Sequence, residues 1–333
     1  MSRMKKVRKT KSAFVLLSLL LIAVTLVAIR IGSVSVSYQD IFQAIMTDKG
    51  GTVGIIRDIR LPRVLLAILV GANLAVSGVL LQGVMRNPMA DPGITGISAG
   101  AGVVVMIVML YVPSAAASMP MFGFIGGVFA CVLIYSLAWK QGLSAIRIVL
   151  AGVAVNSILG GITSMIQTMN SENLTGVLNW LNGELGKKGW MQVKWMAVYT
   201  IVGLILAFLL HRCCDMLALG DKNAKSLGYS PNVLRILISG VAVLLAGIST
   251  AYVGVIGFIG LIVPHMSRML MGSEHKKLIP FSALLGAIVL LAADTIGRTL
   301  IAPYEIPVGV ITTVFGGPFF LYLLRKDSSG YGD

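Results

Sequence analysis

Charge is scarce in this sequence. Only 12% of its 333 residues are Asp, Glu, Lys or Arg, about half the share of an ordinary soluble domain, which argues against a soluble fold. Cysteine is also scarce: Cys131, Cys213 and Cys214 form neither a disulfide framework nor a zinc spacing. His265 has no His, Cys or acid at metal-ligand distance along the chain, so no metal site is expected. No Walker A string, HExxH, Ser/His/Asp arrangement or paired-carboxylate constellation occurs. The chain therefore lacks the means to hydrolyse a nucleotide or to act as a membrane enzyme. If its work consumes ATP, the nucleotide binds another chain.

What is present is apolar and long. Apolar residues make up 56% of the chain and mean hydropathy is +0.89. Several blocks approach the ~20 residues a helix needs to cross hydrocarbon. We read an all-α polytopic membrane protein, one transmembrane domain over residues 1–333. Its ten spans are placed at 13–31, 62–83, 93–111, 120–139, 145–168, 192–211, 232–253, 257–271, 278–299 and 307–324. Segment 13–29 follows a basic region, but it ends at Arg30 without a small-x-small cleavage site, so it is a retained anchor.

The net charge of +14 does not indicate nucleic acid, because of where the charge sits. Arg3, Lys5, Lys6, Arg8, Lys9 and Lys11 precede the first span, and most of the rest lies in short loops. That pattern sets topology and meets anionic lipid headgroups. With ten spans and a basic N-terminus, both ends face the cytoplasm. Arg86, Lys140, Arg147, Arg212, Lys222, Lys225, Arg235, Arg268, Lys276 and Lys277 then fall on that side. The external connections are 40–60, 112–118 and 172–188, and the polar tail 327–333 is expected to be disordered.

The polar connection 212–232 reads as two short helices in series. Asp215 can cap 216–219 before Gly220, Asp221 can cap 222–227 before Gly228, and Ser230-Pro231 opens the next span. Such an element has no use in packing against lipid and suits contact with another protein. The seven residues 87–93 contain Asp91-Pro92, a cap and first helical position. Segment 257–271 is short and interrupted by Pro264. Gly/Pro-marked short helices in two halves point to an inverted repeat, spans two to five against spans seven to ten.

Few side chains within the spans can carry chemistry. Asp294 is the one acid well inside an apolar run, and Arg298 lies one turn on. A self-neutralising or docking pair is favoured over a proton relay, with Arg298 snorkelling to the outer interface. His265 and Arg268 are expected to hydrogen-bond the adjacent cytoplasmic loop. Asn73, Asn156 and Gln167 can line a polar path or, as we favour, bond between helices. The glycines at 71, 78, 83, 152, 160 and 161 allow close helix packing.

The chain resembles the FecCD-type permeases of ABC importers, which carry iron–siderophores, haem and cobalamin. The resemblance rests on strings in family order from residue 60 onward. These are Arg60-Leu61-Pro62-Arg63, Asn87-Pro88-Met89-Ala90-Asp91-Pro92-Gly93-Ile94-Thr95-Gly96, and Leu217-Ala218-Leu219-Gly220-Asp221 with Leu227-Gly228. They continue in Gly257-Phe258-Ile259-Gly260-Leu261-Ile262-Val263-Pro264-His265-Met266-Ser267-Arg268 and in Ile306-Pro307-Val308-Gly309-Val310 with Gly316-Gly317-Pro318-Phe319.

The resemblance implies a permease subunit that pairs with a second, identical or related, permease subunit. It also implies a cytoplasmic ABC ATPase dimer that binds ATP, while this chain binds no cofactor. It assigns ATPase coupling to Asp215, Leu217, Leu219, Gly220, Asp221, Leu227 and Gly228. Docking of an external substrate-binding protein falls to Arg60, Arg63 and Arg298. Gates map to Asn87 and Met89 and to Ala145 and Ile146, which replace the small hydroxyl residues of the cobalamin member. That departure favours a ferric siderophore as cargo. Asp91, Pro92, Gly93, Pro264, His265 and Arg268 form a cytoplasmic structural motif. The alternative from another class is a proton-coupled carrier or channel, for which only Asp294 offers part of a relay.

Overall fold

In hydrocarbon every backbone N–H and C=O needs a partner within its own segment, and an apolar block meets that demand by coiling. The computed structural model describes residues 2–32, 54–140, 142–186 and 188–327. Residues 40–53 of the expected external segment, and the tail beyond Asp327, lie outside the described residues. The helices are α1 (Ser2–Arg30), α2 (Leu61–Met85), α3 (Ile97–Tyr111), α4 (Met119–Ala138), α5 (Ala145–Met169), α6 (Thr175–Leu181) and α7 (Trp190–Leu209). They continue as α8 (His211–Ala218), α9 (Asp221–Ser226), α10 (Pro231–Val253), α11 (Ile259–Met271), α12 (His275–Thr299) and α13 (Val308–Asp327). No strand occurs among the described residues.

Among the described residues, 7 helices are long and apolar enough to cross a membrane, and Ile97–Tyr111, Ile259–Met271 and Val308–Tyr322 are shorter apolar helices. The protein is thus all-helical and polytopic. Two short helices start later than their apolar runs, for a shared reason. Gly96 (φ 78°) precedes α3 and Phe258 (φ 68°) precedes α11, each in the left-handed region. A left-handed residue cannot continue a right-handed helix. Pro92–Thr95 accordingly forms a separate 3₁₀ turn.

α2 is the centre of the bundle, buried along nearly its whole length and packed against α7, α10, α11 and α12. It is also longer than the apolar run suggests. A π-helical turn, Ile55–Arg60, leads directly into it, giving a continuous helix of 31 residues. Lipid tails are as apolar as leucine, so helices associate here through close packing, and glycine supplies it. A Cβ on Gly71 of α2 would lie 2.3 Å from the Gly286 carbonyl oxygen of α12. One on Gly78 would lie 1.9 Å from that of Gly260 in α11. Gly152 of α5 meets the Ile94 carbonyl oxygen in the same way, at 2.2 Å. Gly160 and Gly161 differ from the expectation, since nothing lies within 4 Å of either. α5 is mostly exposed along its apolar length.

The polar groups inside the bundle bond between helices. Asn73 Nδ2 donates to Thr200 Oγ1 at 2.9 Å and to Ser249 Oγ at 3.2 Å. Asn156 Nδ2 donates to the Gly93 carbonyl at 3.0 Å. Pro264 leaves α11 unbroken, and the reason is visible. Proline has no N–H for the Gly260 carbonyl one turn back, and Gln82 Nε2 of α2 donates there at 3.4 Å and to Leu261 O at 3.3 Å.

Candidate functional site

One end of the bundle gathers the connections 86–96, 142–144 and 210–230. α8 and α9 form the expected pair of short helices, closed by Gly220 (φ 97°) and Gly228 (φ 83°), a conformation that favours glycine. Their caps differ from those expected. α8 starts at His211, so Asp215 sits inside it. Its carboxylate instead accepts from the His275 backbone N–H at 3.2 Å and pairs with His275 Nδ1 at 2.7 Å. Asp221 is the first residue of α9 behind Gly220 and makes no capping bond. Its carboxylate takes two bonds from Arg235 Nη2, at 2.8 and 3.1 Å. Ser230 stands at the N-cap of α10 with Pro231 first in the helix, but its side chain does not cap.

These anchors orient the pair. Cys214 and Leu217 are buried in the core, while Leu219 and Leu227 are 52% and 56% exposed. Two leucines are thereby held at the surface between polar anchors, although the core beside them admits Leu217.

The 87–93 loop lies beside this end. Asn87 Oδ1 accepts from the Met89 backbone N–H at 2.8 Å, and both residues are exposed. Asp91 caps the 3₁₀ turn as expected, accepting from Gly93 N–H at 2.8 Å, with Pro92 first in the turn. Burial pushes the Asp91 carboxyl above its usual range, and the Gly93 bond opposes that shift. Arg268 does not reach a loop as expected. It donates to Gln82 Oε1 of α2, on the same amide that serves the carbonyls before Pro264. His265 is half-buried on α11. Ala145 and Ile146 begin α5, where Ile146 is 71% exposed. Between α3 and α5 runs a groove of about 320 Å³, bordered by Gly93, Ser98, Asn156 and Thr163.

At the opposite end the three arginines are turned inward. Arg60 is 5% exposed and donates to the Ile29 and Arg30 carbonyls at 2.7 and 3.0 Å. Arg298 is 6% exposed and donates to Ala28 O at 3.0 Å. It does not snorkel outward, because the last turn of α1 leaves carbonyls without helical partners and the guanidinium satisfies them. Arg63 lies between two acids. Its Nη2 pairs with Asp294 at 3.0 Å and its Nη1 with Glu305 at 2.7 Å. Asp294 also pairs with Arg298 at 3.1 Å, as the i,i+4 spacing suggests. Of the three, only Arg63 borders the polar cavity of about 630 Å³ that opens here among Asp58, Lys188 and Glu305.

Sequence reading passed over Gln82, Asn232, Arg235, His275 and Glu305. One signal was available for Arg235. A cation near the start of a helix opposes the helix dipole, so it needs an acid close by, and Asp221 is that acid.

The FecCD transport family matches residues 20–326. The chain belongs to that family. Its FecCD relatives include the Fe(3+)-citrate import system permease protein YfmD of Bacillus subtilis, 41% identical over 272 residues, covering 82% of this chain and 81% of the relative. YfmE, of the same name and organism, is 38% identical over 325 residues, or 97% of this chain and 98% of its own. A protein described as a probable heme-iron transport system permease, IsdF of Staphylococcus aureus, is 38% identical over 316 residues, covering 95% of this chain and 96% of its own. Among solved structures, an inward-facing transporter assigned to the metal-chelate ABC type superposes with a TM-score of 0.83 at 30% identity. It covers 95% of this chain and 99% of that one. As a FecCD protein the chain is an ABC importer permease of iron transport, a multi-pass plasma-membrane protein and a transport component rather than an enzyme.

Proposed function

We propose that this FecCD permease imports a ferric chelate of the citrate or siderophore class, driven by ATP bound to a separate ATPase dimer. The observation that carries the cargo is the end-to-end match to the ferric-citrate permease YfmE, over 97% of this chain. Haem is the second reading, favoured by the similar coverage of IsdF. The end bearing α8 and α9 is cytoplasmic, which places both termini inside. The excess of Arg and Lys there supports this, by the positive-inside rule. The chain is also an inverted repeat. The matching left-handed starts of α3 and α11 support that, as does a correspondence of packing. α2 packs on α12 and α11 as α10 packs on α4 and α3.

In this reading Asp215 and Asp221 hold α8 and α9 so that Leu219 and Leu227 enter the ATPase, with Leu217, Gly220 and Gly228 shaping the pair. A second permease subunit packs on the exposed face of α5, where Gly160 and Gly161 allow close approach. Cargo passes along the groove between α3 and α5, gated at Asn87 and Met89 and at Ala145 and Ile146. The external binding protein docks over Arg63, with Arg60 and Arg298 fixing the platform beneath it. The path binds cargo weakly, since tight binding would prevent release.

The test is uptake by proteoliposomes holding the permease, its ATPase and its binding protein. Import of radiolabelled ferric citrate is expected with internal ATP and without a proton gradient. Import that survives ATP removal but stops on collapse of the gradient would make the chain a secondary carrier. Docking has its own check. Arg63→Gln is expected to weaken binding-protein affinity about tenfold or more, the scale for losing one partner of an interfacial charge pair, with ATPase binding unchanged. Unaltered affinity would place the docking site elsewhere.

A further inference from the structure

The two segments that begin at Arg86 and end at Ile146 are far apart in sequence, yet one carboxylate reaches both. Asp221 receives Arg235 Nη2 in a two-oxygen bond at 2.8 and 3.1 Å. Arg235 is 4% exposed, and its Nη1 donates to the Leu143 carbonyl at 3.1 Å. The Leu143 N–H donates to Asn232 Oδ1, also at 3.1 Å. Both backbone groups of Leu143 are therefore held by side chains of α10. Arg147 clasps the same loop, donating to Gly142 O at 2.6 Å and Lys140 O at 2.8 Å. Gly142 has φ 124°, and a Cβ there would lie 2.9 Å from Asn232 Nδ2. The loop is thus pinned to α10 and cannot drift from it without breaking buried bonds.

The second arm is looser. Arg86 ends α2 in the left-handed region, at φ 49°, and its Nη1 stands 3.8 Å from Asp221 Oδ1. Asn87 and Met89 follow at once. Arg86 is 48% exposed and Asp221 43%, so this pair is the weaker, and the part-buried two-oxygen bond from the buried Arg235 is the stiffer.

We propose that Asp221 is the node that carries displacement of α8 and α9 to both gate segments, stiffly through Arg235 to 142–146 and loosely through Arg86 to 86–89. The inference rests on the ATPase-docking reading above and adds to it the route of the stroke inside this chain. Asp221 and Arg235 are positioning residues, since neither need touch cargo. Their energies suit the role. A part-buried charge-assisted bond at 2.8 Å holds through a stroke, whereas an exposed pair at 3.8 Å yields and re-forms.

The experiment is amide hydrogen exchange on the permease–ATPase complex, nucleotide-free and ATP-trapped. It needs no knowledge of the cargo. In the wild-type complex, exchange at 142–146 and at 86–90 is expected to change on trapping, more strongly in the first. In complexes that retain the ATPase on co-purification, Asp221→Asn should cut that ATP-dependent difference roughly fivefold or more in both segments, given the loss of charge from both pairs. Arg235→Gln should remove it at 142–146 alone, and Asp221→Glu should restore it in both. A merely structural defect would alter exchange in both nucleotide states equally. If Arg235→Gln does not accumulate because its site is buried, Asp221→Asn at a half-exposed carboxylate decides. An ATP-dependent difference in Asp221→Asn equal to wild type overturns the node alone. Normal ATPase binding by both Leu219→Asp and Leu227→Asp overturns the docking reading and the node together.

Discussion

Asp294→Ala is expected to remove most of the folded permease from the membrane. Asp294 is 2% exposed and is the shared counter-ion of Arg63 and Arg298. Taking it away leaves two guanidinium groups inside the bundle with one exposed acid, Glu305, to serve them. Breaking a buried pair by removing one partner costs about 3–5 kcal/mol, a large part of the roughly 5–15 kcal/mol that holds a typical protein folded. Size-exclusion yield after detergent extraction should fall about tenfold or more, with a lower Tm in what remains. Asp294→Asn separates this from a proton relay. An isosteric amide would leave a relay protein folded but inactive, whereas here it too should fold poorly, because it keeps shape and loses charge. Wild-type yield and Tm in Asp294→Asn, with transport abolished, would restore the relay.

The second large effect lies at the other end. Leu219→Asp and Leu227→Asp are each expected to abolish ATPase binding and uptake while the permease still inserts and elutes normally. Both side chains are more than half exposed, so a charge there stays hydrated and costs the free chain little. In an interface the same charge is desolvated without a partner, at a cost of several kcal/mol. Co-purification of the tagged ATPase reads the loss directly. Leu217→Asp makes the contrast, since Leu217 is fully buried and its variant should fail to fold rather than fail to dock. Retained ATPase in both exposed-leucine variants would move the docking surface elsewhere.

What could be read from the sequence was local. Hydrocarbon thickness fixes how long an apolar run must be, so the seven long apolar helices among the described residues were legible from residue type alone. Asp91-Pro92 and the glycines at 220 and 228 were legible because caps and left-handed turns depend on a few adjacent residues. Asp294 with Arg298 was legible as an i,i+4 pair. Arg63 with Asp294 was not, because 231 residues separate them. The same limit hid the partners of Asp215 and Asp221. A short polar side chain before a helix looks like a cap, and only the fold shows that His275 and Arg235 offer it a stronger bond. Arg60 and Arg298 misled in the opposite way. Their place at span ends suggested exposure, yet the free carbonyls of α1 draw them inward.

The unbroken run of α2 from the π-turn to Arg86 ties the two faces of the protein mechanically. At 1.5 Å per residue, its 31 residues form a rod of about 46 Å. One end carries Arg60 and Arg63, and the other carries Arg86. Its contacts at Gly71 and Gly78 bring backbone against backbone, with the Leu290 side chain beside the first. A rod pivoting there by about 10° moves its Ile55 tip by about 5 Å and its Met85 tip by about 3 Å in the opposite sense. A push on either tip is therefore felt at the other, as on the two arms of a see-saw.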